Sequence, residues 1–133
     1  MLREKFSIAQ RPYFNSSNGF DPLAFAIAEC HARGMECHAW ITTFPVESIR
    51  RSKRGAILEK RPSFYKQDKN HWFMDPGRPE TQNHLVLIVK EITTNYDVDG
   101  IHLDYIRYPD DARKFRDQDT YLKYGNGKPK DQL

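Results

Sequence analysis

Cysteine is scarce, with only Cys30 and Cys37 among 133 residues, seven positions apart, and no spacing rule demands a bridge between them. A bridge between the two is conceivable, but the preferred reading is a pair of buried thiols, because free cysteine packs as a small hydrophobe. No second Cys or His pair follows at ligand distance, so the spacing gives no zinc site. Long apolar runs are also missing. None approaches the roughly 20 residues of a membrane-spanning helix, and the opening MLREKFSIAQRPYF lacks the apolar stretch of a secretory signal. Charge of one sign is not in excess, since 21 Lys and Arg face 18 Asp and Glu for a net +3. The chain also lacks a Gly-rich phosphate loop, an HExxH pair and a GxSxG elbow, which leaves nucleotide hydrolysis, zinc proteolysis and α/β-hydrolase chemistry without support. Aromatic residues are plentiful: 8 Phe, 7 Tyr and 2 Trp outweigh a mean hydropathy of −0.80 as a sign of order. The length fits one globular unit.

Residues 1–19 show no sustained period and end in the turn formers Asn15-Ser16-Ser17-Asn18-Gly19, which predicts an irregular head and an ordered unit over 20–133. Asp21 is a good N-cap with Pro22 behind it. Leu23, Ala26, Ile27 and Cys30 form an apolar stripe and Gly34 supplies the stop, so a helix of about 12 residues is expected. Met35 to Thr43 is rich in strand formers and closes at Phe44-Pro45. The pattern then repeats. Asp75-Pro76-Gly77 makes a turn, Pro79 opens a helix, and Leu85, Ile88, Val89 and Ile92 stripe it up to about Tyr96. Gly100 to Asp104 reads as a second buried strand. Two helix-to-strand units in succession predict an α/β fold with parallel strands and helical crossovers. The polar stretch from Asp110 to Leu133 is expected to be a loop with a short helix around Ala112 to Tyr124. Between the units, Arg50, Arg51, Lys53, Arg54, Lys60 and Arg61 outnumber Glu47 and Glu59. With no nucleic-acid fingerprint beside it, this cluster reads as a solvated face of a loop or helix, and no nucleic-acid partner is expected.

In parallel α/β sheets ligands gather at the carboxyl ends of the strands, where loops converge. Alternation puts His102 and Asp104 on one face of the second strand, and Asp104 ends it, followed by Tyr105, Arg107 and Tyr108. A carboxylate beside aromatic rings and a guanidinium suits sugar chemistry: rings stack on pyranose faces while the carboxylate attacks, or stabilises, an oxocarbenium-like centre. The competing reading is a structural ion pair between Asp104 and Arg107. On the first strand His38, Trp40 and Thr42 share a face, and Trp40 either stacks on a saccharide or fills the core. His38 reads as a core histidine, as His102 also does outside the sugar reading. Asp75 and Asp99 read as turn residues bonding local backbone. His71 and Trp72 either rim a cleft or cover apolar surface.

The stretches FDPLAFAIAECHARGMECHAW (Phe20 to Trp40), RPSFYKQDKNHWFMDPGRPET (Arg61 to Thr81) and YDVDGIHLDYIRYP (Tyr96 to Pro109) together resemble the glycosyl hydrolase-like 10 family. The resemblance implies a (β/α)8 TIM barrel of the retaining-glycosidase kind, with Asp104 as nucleophile by motif position; Trp40, His102, Tyr105 and Arg107 are read as its substrate-binding neighbours. It further implies a metal-independent hydrolase with no cofactor, acting on a cell-envelope or other polysaccharide. Some members are linked to peptidoglycan glycan strands stripped of their peptides. Exported lipoproteins dominate the family, so the full-length parent is expected in the cell envelope or outside the cell. Two departures stand out. His38 to Phe44 reads HAWITTF where many members have HAWxNPY, and Tyr105 replaces a second Asp. A complete barrel needs at least about 200 residues, so the match implies a partial barrel, strands three and four with the helices before them. Glycosidases need two carboxyls, which predicts that this chain alone is inactive. Uncovered sheet edges predict self-association. A non-catalytic carbohydrate-binding or interaction fragment is the alternative.

Overall fold

A computed structural model describes residues 20–50, 62–68, 70–109 and 114–127. The irregular head expected over 1–19 and most of the basic stretch, residues 51–61, lie outside these residues.

Helix α1 spans Pro22–His31, two residues shorter than the 12 expected, and its ends are built as the sequence specifies. Asp21 Oδ1 accepts from the backbone N–H groups of Leu23 (3.0 Å) and Ala24 (3.1 Å), satisfying two of the donors a helix start leaves open. Gly34 adopts φ +68°, which an L side chain rarely takes. Its N–H donates to His31 O and the Met35 N–H donates to Cys30 O, both at 3.0 Å, the paired bonds of a Schellman ending. The chain therefore turns back on α1 and enters strand β1 (His38–Thr42). Cys30 and Cys37 are free and only half-buried, so the expectation of buried thiols is corrected: the last turn of α1 and the residues before β1 lie at the edge of the packed layer.

A different arrangement follows, one the sequence reading did not contain. Strands β2 (Pro45–Ser48), β3 (Tyr65–Asp68) and β4 (His71–Met74) form an antiparallel sheet in the order β2-β4-β3. Glu47 and Ser48 thus belong to a strand and not to the expected loop or helix. Pro45, which has no N–H to give, begins β2, and a register shift follows before Glu47. The main core sits here. Phe44, Phe64, Tyr65, Phe73, Met74 and Phe115 are buried together, with Val46, Trp72 and Leu85 packed against them. Trp72 therefore covers apolar surface, while His71 stays exposed. Each buried aromatic contributes about 2 kcal/mol by leaving water.

Helix α2 spans Pro79–Asn95, close to expectation, with Thr81, His84 and Ile88 buried, so its inward face runs through polar as well as apolar positions. Strand β5 spans Gly100–Asp104 as expected, but none of its residues is buried, which corrects the expectation of a buried strand. β5 pairs in parallel with β1, from His38 opposite Gly100 to Thr42 opposite Asp104. A Cβ at Gly100 would meet the His38 ring at 2.6 Å, so a larger residue there would displace that exposed side chain. The β1–α2–β5 connection is the expected parallel unit with a helical crossover. The described residues form a mixed α/β arrangement of one parallel pair and one antiparallel sheet. The tail forms helix α3 only over Gln118–Tyr124, shorter than the helix expected from Ala112. No helix among the described residues is long and apolar enough to cross a membrane.

Candidate functional site

One face of the parallel pair is open; on the opposite face Ala39 is buried and Ile41 half-buried, while Leu103 stays 39% exposed. Alternation sends Trp40 and Thr42 to the other side of β1, and the register sets Trp40 opposite His102 and Thr42 opposite Asp104. Trp40 is 72% exposed, so it does not fill the core. Its ring meets His102 edge-on, with centroids 6.1 Å apart and planes at 80°. Such a contact holds the indole upright and leaves its face open to a planar or pyranose partner.

Asp104 closes the row at the carboxyl end of β5 and is half-buried. Its carbonyl accepts from Thr43 N at 2.8 Å, which continues the ladder one step past Thr42 and fixes the strand end. Its carboxylate Oδ1 accepts from Tyr105 N at 2.7 Å. Oδ2 has no hydrogen-bond partner among the described residues. Tyr105 itself has φ 51°, a left-handed conformation that costs a non-glycine residue roughly 1–2 kcal/mol. Strain of this kind persists only where the surroundings enforce it, and it sits directly after the candidate carboxylate. Arg107 lies with its guanidinium carbon 5.4 Å from the Tyr105 ring centroid and donates to Tyr108 O at 3.3 Å. The guanidinium is thus engaged with Tyr105 and the loop backbone, in place of the considered pair with Asp104.

The open face therefore brings Trp40, His102, Asp104, Tyr105 and Arg107 onto one strand pair and the turn leaving it. His38 stands at the other end of β1, where its Nε2 meets Glu36 Oε2 at 2.9 Å. Asp99, read as a local turn residue, instead ties three segments: its Oδ2 accepts from Cys37 N at 2.7 Å and lies 2.9 Å from His31 Nε2. The Cys37 amide first and His31 second hold the Asp99 carboxyl below the usual carboxylate range.

A second polar group lies beneath the loop that leaves β5. Asp75 is fully buried and accepts from Gly77 N at 3.2 Å, the local bond expected of it, and also from the Thr120 hydroxyl, 45 positions away. Arg78 Nε lies 3.8 Å from the same carboxylate. Burial raises the Asp75 pKa above the normal carboxylate value, against the lowering effect of Thr120 and Gly77. The Tyr108 phenol is pushed up to about 12, by burial first and then by the neighbouring Asp117 carboxylate. Phe115 packs edge-on against both Tyr108 (5.7 Å) and Phe73 of β4 (6.2 Å). This knot anchors the loop that carries Tyr105 to Tyr108, and spacing gave no signal for it because its partners are remote in sequence.

A parallel β–α–β unit with a carboxylate and aromatic rings at the carboxyl end of its second strand defines an α/β protein. The chain belongs to the glycosyl hydrolase-like 10 family, whose model matches residues 7–132. It is similar to glycosyl hydrolase DigH of Escherichia coli (strain K12), with 35% identity over 122 residues, covering 80% of this chain and 27% of the relative. It is similar too to glycosyl hydrolase YngK of Bacillus subtilis (strain 168), with 32% identity over 113 residues, covering 80% of this chain and 22% of the relative. The chain thus spans about a quarter of the length of these curated relatives.

Proposed function

We propose that this chain is the part of a glycoside hydrolase barrel that supplies the catalytic carboxylate, Asp104, to a polysaccharide-binding cleft. On this reading β1 and β5 are strands three and four of a (β/α)8 barrel, and their open face lines its interior. The observation that carries it is the half-buried Asp104 on the same open face as a 72%-exposed Trp40, with strained Tyr105 immediately after it. The named activity of the relatives, glycosyl hydrolysis, supports the same reaction class.

The chemistry follows from the geometry. Trp40 stacks on a sugar ring, and His102 holds the indole in its orientation. Asp104 keeps one oxygen on the Tyr105 amide, which holds the carboxylate in place, and directs the other at the anomeric carbon. There it forms a glycosyl ester or stabilises positive charge as the leaving oxygen departs. Arg107, seated on the Tyr105 ring, fixes that ring as the second aromatic wall. Protonation of the leaving oxygen takes a second carboxyl, about 5–5.5 Å away for retention or 6.5–9.5 Å for inversion. We assign that group to another strand of the complete domain, so the isolated chain is inactive on this reading. A polysaccharide of the cell envelope is the proposed substrate class, and the parent is placed there with it.

The test is release of reducing ends from a panel of envelope and plant polysaccharides by the parent protein, native against Asp104→Asn. A loss of about 10³-fold or more with an unchanged unfolding midpoint is expected. Undiminished hydrolysis by Asp104→Asn would exclude Asp104. Retained saccharide binding with no hydrolysis by the native protein would favour the non-catalytic alternative.

A further inference from the structure

We propose that the attachment of helix α1 is a pH-sensitive device: a polar bracket on the joint between α2 and β5 holds the helix at both ends, and loss of the His31 proton loosens its C-terminal end. Ile27 is the one residue of α1 that is buried, so apolar packing holds the helix weakly. Polar bonds secure its two ends. At the start, Tyr96 donates its hydroxyl to Asp21 Oδ2 at 2.6 Å, while Oδ1 of the same carboxylate caps the helix. At the end, His31 Nε2 lies 2.9 Å from Asp99 Oδ2, which also accepts from Cys37 N at 2.7 Å. The Asp99 N–H donates in turn to Cys37 O at 3.1 Å, so this carboxylate is fixed against the entry to β1. Tyr96 and Asp99 belong to one short joint, and each reaches an opposite end of α1.

Histidine is the member of this bracket that titrates near neutrality. Two features of the geometry favour its protonated form: the Asp99 carboxylate at hydrogen-bond distance, and the carbonyl end of α1, whose last turn His31 occupies. Its pKa is raised above the ordinary 6.5 by the bond to Asp99 first, against some desolvation, and then by the charges of Asp99 and Asp97. The Asp99 carboxyl is held below 3.8 by the Cys37 amide first and then by His31, with His38 adding to the effect. At the other end, desolvation works against the Asp21 charge, and the bonds from Tyr96, Ala24 and Leu23 outweigh it to hold that carboxyl below 3.8 as well. Of the remaining groups nearby, Arg33 pairs with Glu29 at 2.7 Å and His38 with Glu36 at 2.9 Å, and desolvation keeps the Cys37 thiol above its ordinary 9.0. The C-terminal tie is therefore complete between 3.8 and 6.5. It weakens as pH rises through the raised His31 value, where a charged hydrogen bond becomes a neutral one. The bracket stands at the amino ends of β1 and β5, away from Asp104, and is independent of the sugar-site reading.

The experiment measures amide hydrogen exchange of the full chain by NMR from weakly acidic to weakly alkaline pH, each rate divided into the unstructured rate at the same pH, and follows the ring signals of the histidines. Protection of the α1 amides, and of the Cys37 amide that bonds the same carboxylate, should fall about two- to fivefold as pH rises through the His31 midpoint. That midpoint should lie above 6.5, and Asp99→Asn should lower it. His31→Gln keeps a hydrogen-bond donor but cannot change charge, so the fall should be absent there, which separates His31 from His38, His71, His84 and His102. Constant protection in the native chain, an equal fall in His31→Gln, a His31 midpoint at or below 6.5, or one that Asp99→Asn leaves unchanged would each overturn the proposal.

Discussion

At the residue scale, the open face of the β1–β5 pair is unusual in what it exposes. A tryptophan that is 72% exposed forgoes most of the stabilisation its burial would bring, yet its edge-on contact with His102 keeps it ordered. Tyr105 carries backbone strain in a position where glycine would cost nothing, and its ring serves as the seat of Arg107. These are features expected of side chains kept for a ligand. Trp40→Ala in the parent should weaken saccharide binding by about 1 kcal/mol, roughly fivefold in affinity. Stability should shift by less than about 0.5 kcal/mol, as for other exposed positions. Calorimetric titration beside urea unfolding separates the two effects, and a stability loss without a binding loss would assign Trp40 to packing alone.

At the element scale, the loop leaving β5 is held from below by contacts that spacing does not reveal. Phe115 is buried between Tyr108 and Phe73, so it couples the site loop to the antiparallel sheet. Phe115→Ala should cost about 3–5 kcal/mol, a large share of the stability of a chain this size, measured as the urea midpoint. Asp75 gives a pH signature. Its pKa is raised in the folded state by burial, so the folded chain holds this proton more tightly than the unfolded one. The contribution of Asp75 to stability is therefore most favourable below the unfolded value of 3.8 and falls as pH rises through the raised folded value. Asp75→Asn has no such titration. The stability of the native chain relative to Asp75→Asn should accordingly rise as pH is lowered from neutrality toward 4, followed by urea unfolding across that range. A difference that stays flat or runs the other way would show that the Asp75 carboxyl is not held proton-rich.

Over the whole molecule, the parallel half was legible in the sequence and the antiparallel half was not. Helix α1 announced itself through Asp21, Pro22 and Gly34, which satisfy or terminate backbone hydrogen bonds locally, and α2 through Pro79 and its apolar stripe. Strand β5 followed from the break at Asp97 to Gly100 and from its alternation. Strands β2 (PVES), β3 (YKQD) and β4 (HWFM) have only four residues each, none with a clean apolar–polar alternation, and a register shift follows Pro45. Their pairing is decided by partners far along the chain, which no local period encodes. The same holds for the Asp75–Thr120 bond and for Phe115. The candidate site was legible because alternation within β1 and β5 fixed which residues share a face. The edge contact of Trp40 with His102, the left-handed Tyr105 and the seat of Arg107 were not, since each depends on pairing and turn geometry.

The most direct measurement of the proposed chemistry identifies which carboxyl becomes esterified. The parent protein is inactivated with a 2-deoxy-2-fluoro glycoside of the sugar that the polysaccharide panel selects, and the labelled peptide is located by mass spectrometry. The expected result is a sugar adduct on Asp104 within the peptide that contains Gly100 to Arg107. Inactivation with the adduct on a different carboxyl, and Asp104 unmodified, would contradict the assignment.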